Sequence, residues 1–124
     1  MNATLFFWAA ALICYLTVLI HIFAGGRVFV RPFMAVEMEP NLKWMAYYSW
    51  HIATIVIAVV ALGYTTAAIW SERLDYAIIS TGIAFSLIAL ATGVSVKAKL
   101  PLRTFPIIPL FGLVVLLGLA GISV

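Results

Sequence analysis

The chain has 124 residues, of which 66% are hydrophobic and 9% charged, with a net charge of +3 and a mean hydropathy of +1.21. An ordinary soluble domain carries about 25% charged residues, so this composition excludes one. The basic balance does not point to nucleic acid, because the Lys and Arg residues flank apolar runs, where they set topology and meet lipid head groups.

Four apolar runs, at roughly 4–24, 44–70, 76–96 and 105–123, are each long enough to cross a bilayer as a helix. Helices and connections then use almost the whole chain as one domain over 1–124, with no separate soluble part expected. The first run is not read as a cleaved signal peptide. Its start carries no basic side chain, and its arginines, Arg27 and Arg31, follow the apolar stretch. Gly25 and Gly26 stand where a helix-ending glycine belongs, so the first helix is predicted to end there. Cys14, the single cysteine, lies inside this run, which excludes an internal disulfide and a cysteine metal cluster.

The stretch 25–43 reads as the longest connection, with Pro32 to Glu39 a candidate short helix in the membrane interface. Arg27, Arg31 and Lys43 lie in it, and Lys97, Lys99 and Arg103 lie in or beside the connection 97–104. The connection around Ser71 to Asp75 holds Arg73 alone. Six basic residues against one place 25–43 and 97–104 in the cytoplasm, and both termini outside. Trp8, Trp70 and Tyr76 fall at the outer interface, and Trp44, Tyr47, Tyr48 and Phe105 at the inner one. Thr104 is placed to cap the fourth helix, with Pro106 in its first turn and a bend expected near Pro109. A faint echo of Arg27, Arg31 and Phe33 in Lys99, Arg103 and Phe105 is what any inner interface would show, and it carries no argument.

Only two ionisable residues fall within the runs, His21 and His51. Such residues are rare in membrane spans and usually face the interior. Both histidines lie in the cytoplasmic half on neighbouring helices. Cys14, Thr17 and His21 share one face of the first helix. Tyr47, His51, Thr54, Ala58, Ala61 and Thr65 form a small or polar stripe on the second, and Gly82, Ser86, Ala89 and Gly93 form one on the third. Helices one to three are therefore expected to make the core. The fourth, without a strongly polar side chain from Phe105 to Gly121, is expected to face lipid or a partner.

Three readings of the histidine pair follow. In the first, each histidine hydrogen-bonds a hydroxyl or a backbone carbonyl of the next helix, with Thr17, Thr54 and Tyr47 nearby, and the protein is a non-enzymatic accessory or structural subunit. In the second, His21 and His51 ligate one b-type haem whose propionates meet Arg27 or Arg31. In the third they relay protons in a small proton-coupled transporter, although no carboxylate lies within a span. A zinc or copper site lacks further ligands at that depth. No Ser–His–acid set marks an enzyme, and Glu37 or Glu39 would reach His51 only if 25–43 folded back.

The run His21–Ile22–Phe23–Ala24–Gly25–Gly26–Arg27, with Arg31–Pro32 and Trp50–His51 further on, resembles small bacterial four-helix inner-membrane proteins. The resemblance covers the first two runs. It implies the fold and residence in the inner membrane, and it implies no activity. The expectation is thus an all-α integral membrane protein, an antiparallel four-transmembrane-helix bundle embedded in the lipid bilayer. It is expected to associate with itself or with another membrane protein, and not with nucleic acid.

Overall fold

A computed structural model describes residues 2–124, and its regular structure is all helical, with no strand among the described residues. Helix α1 (Ala3–Leu19) starts on Asn2, whose side chain accepts a hydrogen bond from the Thr4 N–H at 3.1 Å. It runs without a break into a π-helical stretch, Ile20–Val30, and then into α2 (Arg31–Ala35). Helix α3 spans Pro40–Ile69, α4 spans Leu74–Lys97 and α5 spans Ile107–Ile122, with a 3-10 turn at Leu102–Thr104 before α5. Three of these bodies are long and apolar enough to cross a membrane: Ala3–Ala35, Pro40–Ile69 and Leu74–Lys97. The 16 residues of α5 fall short of the other three.

The largest departure from the expected layout is at Gly25 and Gly26. They do not end the first helix, and residues 25–35 are helical rather than part of a loop. In the π-helical stretch the backbone bonds reach one residue further, as in the Arg31 N–H donating to the Gly26 carbonyl. Pro32, which has no N–H, stands where the chain returns to α geometry. The real connection is Val36–Glu39. Lys43 spans it, its Nζ donating to the Met34 carbonyl at 3.1 Å, a cation on the carbonyl end of a helix. Glu39 caps α3 by accepting from the Leu42 N–H at 3.0 Å, with Pro40 in the first turn.

Two smaller expectations also change. Thr104 does not cap the last helix. It closes the 3-10 turn, Pro106 takes the cap position, and no side-chain capping bond forms. Pro106 itself explains the late start, since the residue before a proline is pushed towards extended backbone, and Phe105 has φ −111° and ψ 91°. Pro109 then falls in the first turn of α5, where the helix uses no intrahelical N–H. At the other side of this connection, α4 ends with Lys99 in the left-handed region at φ 55°. The Lys99 N–H reaches the Val96 carbonyl at 3.2 Å and the Leu100 N–H reaches the Ser95 carbonyl at 2.9 Å, the Schellman pair of bonds.

Four pairs of helices pack together: α1 with α3, α3 with α4, α4 with α5, and α5 with α1. The core where they meet holds Phe7, Cys14, Val60, Tyr64, Phe111 and Val114, with alanines between them. Small residues let the backbones approach, which in lipid is the main route to tight helix contact. Gly63 faces Ser80, Gly118 faces Thr81 and the Tyr64 hydroxyl, and Gly121 faces the Phe7 ring; a Cβ at any of the three would collide. Helix α5 is therefore part of the core, contrary to the outward position its smooth sequence suggests. On α4 the buried face is Ala77, Ser80, Thr81, Ala84, Ala91 and Ser95. The stripe of Gly82, Ser86, Ala89 and Gly93 points outwards instead. Both stripes are small and both keep helical spacing, so spacing alone does not choose between them. The bulk of Tyr64 beside Thr81 and Gly118 selects the observed face.

Candidate functional site

The site is built from the π-helical stretch and the first half of α3, and its centre is Trp50. The indole lies on the His21 imidazole, ring centroids 3.8 Å apart and planes 13° from parallel. Phe29 tilts against the other end of the same indole at 6.1 Å. Between these two, Gly25 leaves the room: a Cβ there would lie 2.8 Å from Trp50 Cζ2 and Cη2. His21, Gly25 and Phe29 thus form one receiving face, each four residues from the next.

The polar contact fixes the histidine further. His21 Nε2 lies 3.2 Å from the Trp50 carbonyl oxygen. A carbonyl can only accept, so Nε2 carries the proton and donates. The same carbonyl accepts from the Thr54 hydroxyl at 3.3 Å. Thr17, the other hydroxyl named beside His21, turns to its own helix and donates to the Ile13 carbonyl at 2.7 Å. The backbone of Trp50 is therefore the inter-helical partner of His21.

His51 is exposed, and its ring meets Tyr47 edge-on at 4.6 Å. Tyr47 in turn meets Trp44 edge-on at 5.8 Å. The two histidines thus have different ring partners: His21 stacks on Trp50 and His51 joins an aromatic row on α3. Arg27 and Arg31 are exposed and form no ion pair or side-chain hydrogen bond among the described residues. Glu37 and Glu39 are exposed as well, with Glu39 engaged in capping α3. No group of three His, Cys, Asp or Glu side chains gathers among the described residues.

Beside the stack runs an apolar groove of about 260 Å³ lined by Phe29, Val30, Phe33, Ala46, Tyr47 and Trp50. Neither the groove nor the role of Trp50 follows from hydropathy. The spacing of His21, Gly25 and Phe29 was the available signal, and the glycine pair hid it by reading as a helix end. At the far end of α3 a more open hollow is lined by Thr66, Trp70, Glu72, Arg73 and Tyr76. There Arg73 grips Asp75 through Nε and Nη2, each at 3.2 Å, and sits 4.5 Å from the centre of the Tyr76 ring. The bond to Asp75 holds the guanidinium pKa above its ordinary value.

Elsewhere the polar groups between the helices close on protein partners. The Tyr64 hydroxyl bonds Thr81 Oγ1 at 2.8 Å, and Thr81 also donates to the Ala77 carbonyl at 2.7 Å. Tyr15 bonds Thr65 at 3.2 Å, and Thr65 also donates to the Ala61 carbonyl. Among the described residues no buried side-chain nitrogen or oxygen lacks a partner. No family model, curated protein or solved structure matches the chain.

Proposed function

We propose that this chain is a non-enzymatic accessory or structural subunit of a bacterial inner membrane. Its four helical bodies cross antiparallel, with both termini outside and the Val36–Glu39 and 98–106 connections in the cytoplasm. The exposed apolar side chains, among them Leu12, Phe23, Ile55, Phe85 and Leu116, supply a lipid-facing surface. The six-to-one distribution of basic residues supports the orientation. It works by association, with a second copy or within a larger membrane complex.

One observation carries the accessory role: among the described residues no buried side-chain nitrogen or oxygen is left without a partner, most of them bonding backbone carbonyls. A proton path or a substrate site needs polar groups directed into a cavity, and here they bond along or between helices. The geometry also weighs against haem. His21 Nε2 is committed to the Trp50 carbonyl and the imidazole face is covered by indole, while His51 lies exposed beside Tyr47.

The test is a pair of measurements on protein purified in mild detergent after expression with added haem. The oxidised and reduced optical spectra should lack a Soret band. Liposomes carrying the protein should hold an imposed pH gradient as long as empty ones. A Soret band lost in both His21→Ala and His51→Ala, or a gradient that collapses with wild type and not with those variants, would overturn the accessory reading.

A further inference from the structure

We infer that the groove between the π-helical stretch and α3 is a binding site for one anionic phospholipid of the inner leaflet. An acyl chain lies along the aromatic walls and the phosphate is held by Lys43. The inference rests on the orientation proposed above, which puts this end of the molecule at the cytoplasmic head groups.

The shape argues for a chain-like occupant. Phe29, Val30 and Phe33 form one wall, and Ala46, Tyr47 and Trp50 form the other. Trp50, stacked on His21, is one lining residue, and the bond from Lys43 Nζ to the Met34 carbonyl ties the helix carrying Phe33 to the one carrying Ala46. Met34 follows Phe33 directly, and Lys43 lies one turn before Ala46 and Tyr47 on α3, which places the ammonium next to residues that line the groove. One of its three N–H donors is used by Met34, which leaves two for a phosphate.

The charge argues for an anionic head. The one ion pair among the described residues is Arg73–Asp75, at the opposite end of α3. At the groove end Arg27, Arg31, Lys43, Lys97, Lys99 and Arg103 have no carboxylate within ion-pair distance among the described residues. The two acids there, Glu37 and Glu39, neutralise none of them directly. An apolar slot ending on an unpaired cation, within a cluster of other unpaired cations, complements an anionic amphiphile.

The test uses the full chain in nanodiscs of equal phosphatidylglycerol and phosphatidylethanolamine, with retained lipids counted by native mass spectrometry. Wild type should keep one phosphatidylglycerol in preference to phosphatidylethanolamine. Ala46→Trp, which fills the groove from an exposed position, should abolish that retention. Lys43→Gln should lower it about fivefold, the loss of about 1 kcal/mol from the one cation in contact with the bound phosphate. Lys43→Arg should preserve it, and Lys97→Gln, a cation of the same end outside the groove, should leave it unchanged.

Unchanged retention in Ala46→Trp, equal loss in Lys43→Gln and Lys97→Gln, or retention of both lipids alike would overturn the site. Membrane residence is scored separately, by whether the chain stays in carbonate-washed membranes. A chain that stays there but shows no lipid preference refutes the site alone, and a chain that washes off refutes both readings.

Discussion

The two ends of α3 are built on opposite terms. Around Tyr64, side chains from all four packed helices interlock: Phe7 stacks on Tyr64 at 6.3 Å, Thr81 takes its hydroxyl, and Gly118 and Gly121 give way to the rings. Around Trp50 the arrangement is shallow. No residue from Val18 through Val56 is buried, and the two walls touch through the His21–Trp50 stack, the tilted Phe29–Trp50 pair, one histidine bond and one lysine bridge. The Tyr64 end has the close packing of a protein interior, which tolerates little change of volume. The Trp50 end has half-buried or exposed aromatic rings, free space beside them and cations outside any ion pair, the features on which the proposed lipid site rests. Close packing is thus concentrated at the Tyr64 end, and the open groove lies at the Trp50 end.

The sharpest way to break this comparison is to add the same methyl group at both ends. Gly118→Ala should cost about 2–3 kcal/mol, because its Cβ meets Thr81 Oγ1 and the Tyr64 hydroxyl, both buried and bonded to each other. Gly25→Ala meets only the outer edge of the Trp50 ring, which can swing away. The gain in helix propensity offsets that movement, so its net effect should stay within about 0.5 kcal/mol. Reversible unfolding in mixed detergents measures both. Equal losses would show that the Trp50 end is as tightly packed as the core.

Lys99→Gly sharpens the contrast from the other side. A lysine at φ 55° carries a steric cost that glycine lacks, so the variant should gain about 1 kcal/mol. Unchanged stability would mean that the Schellman turn loosens without cost at this end. A similarly small effect is expected for Tyr64→Phe. The ring keeps its packing and Thr81 keeps the Ala77 carbonyl, so only an inter-helical hydrogen bond of about 0.6 kcal/mol is lost. A loss several times larger, seen in the same unfolding assay, would mean that the hydroxyl organises the core rather than merely being accommodated in it.

Much of the fold was legible because it depends on hydropathy and local breakers. The second apolar run, expected over 44–70, appears as Pro40–Ile69, and the third, expected over 76–96, appears as Leu74–Lys97. Two expectations on α1 and α3 hold in part: Cys14 and Thr17 are buried and His21 half-buried, and Ala61 is buried on the α3 stripe while His51 is exposed. The candidate site was less legible. The sequence singles out His21 as an ionisable residue in an apolar run, but its partner is a backbone carbonyl, which no residue type announces. Gly25 and Gly26 are ambiguous in the sequence for a definite reason. Glycine permits a helix end and also permits another ring to approach the helix, and only the position of Trp50 distinguishes the two uses.

The sequence by itself determined the all-helical architecture, three helical bodies long and apolar enough to cross a membrane, the uneven placement of the basic residues and the presence of only two ionisable residues, both histidines, within its four apolar runs. Composition and periodicity act locally, and each run carries its own signal. Tertiary structure alone decided which of two small stripes on α4 turns inwards, that α5 belongs to the core, that His21 and His51 take different partners, and that a groove opens beside Trp50. Those outcomes depend on the volumes and polar atoms of side chains far apart in the chain, such as Tyr64 against Thr81 and Gly118, or Trp50 against His21 and Gly25. Helical spacing leaves several faces equally suitable, and close packing selects among them.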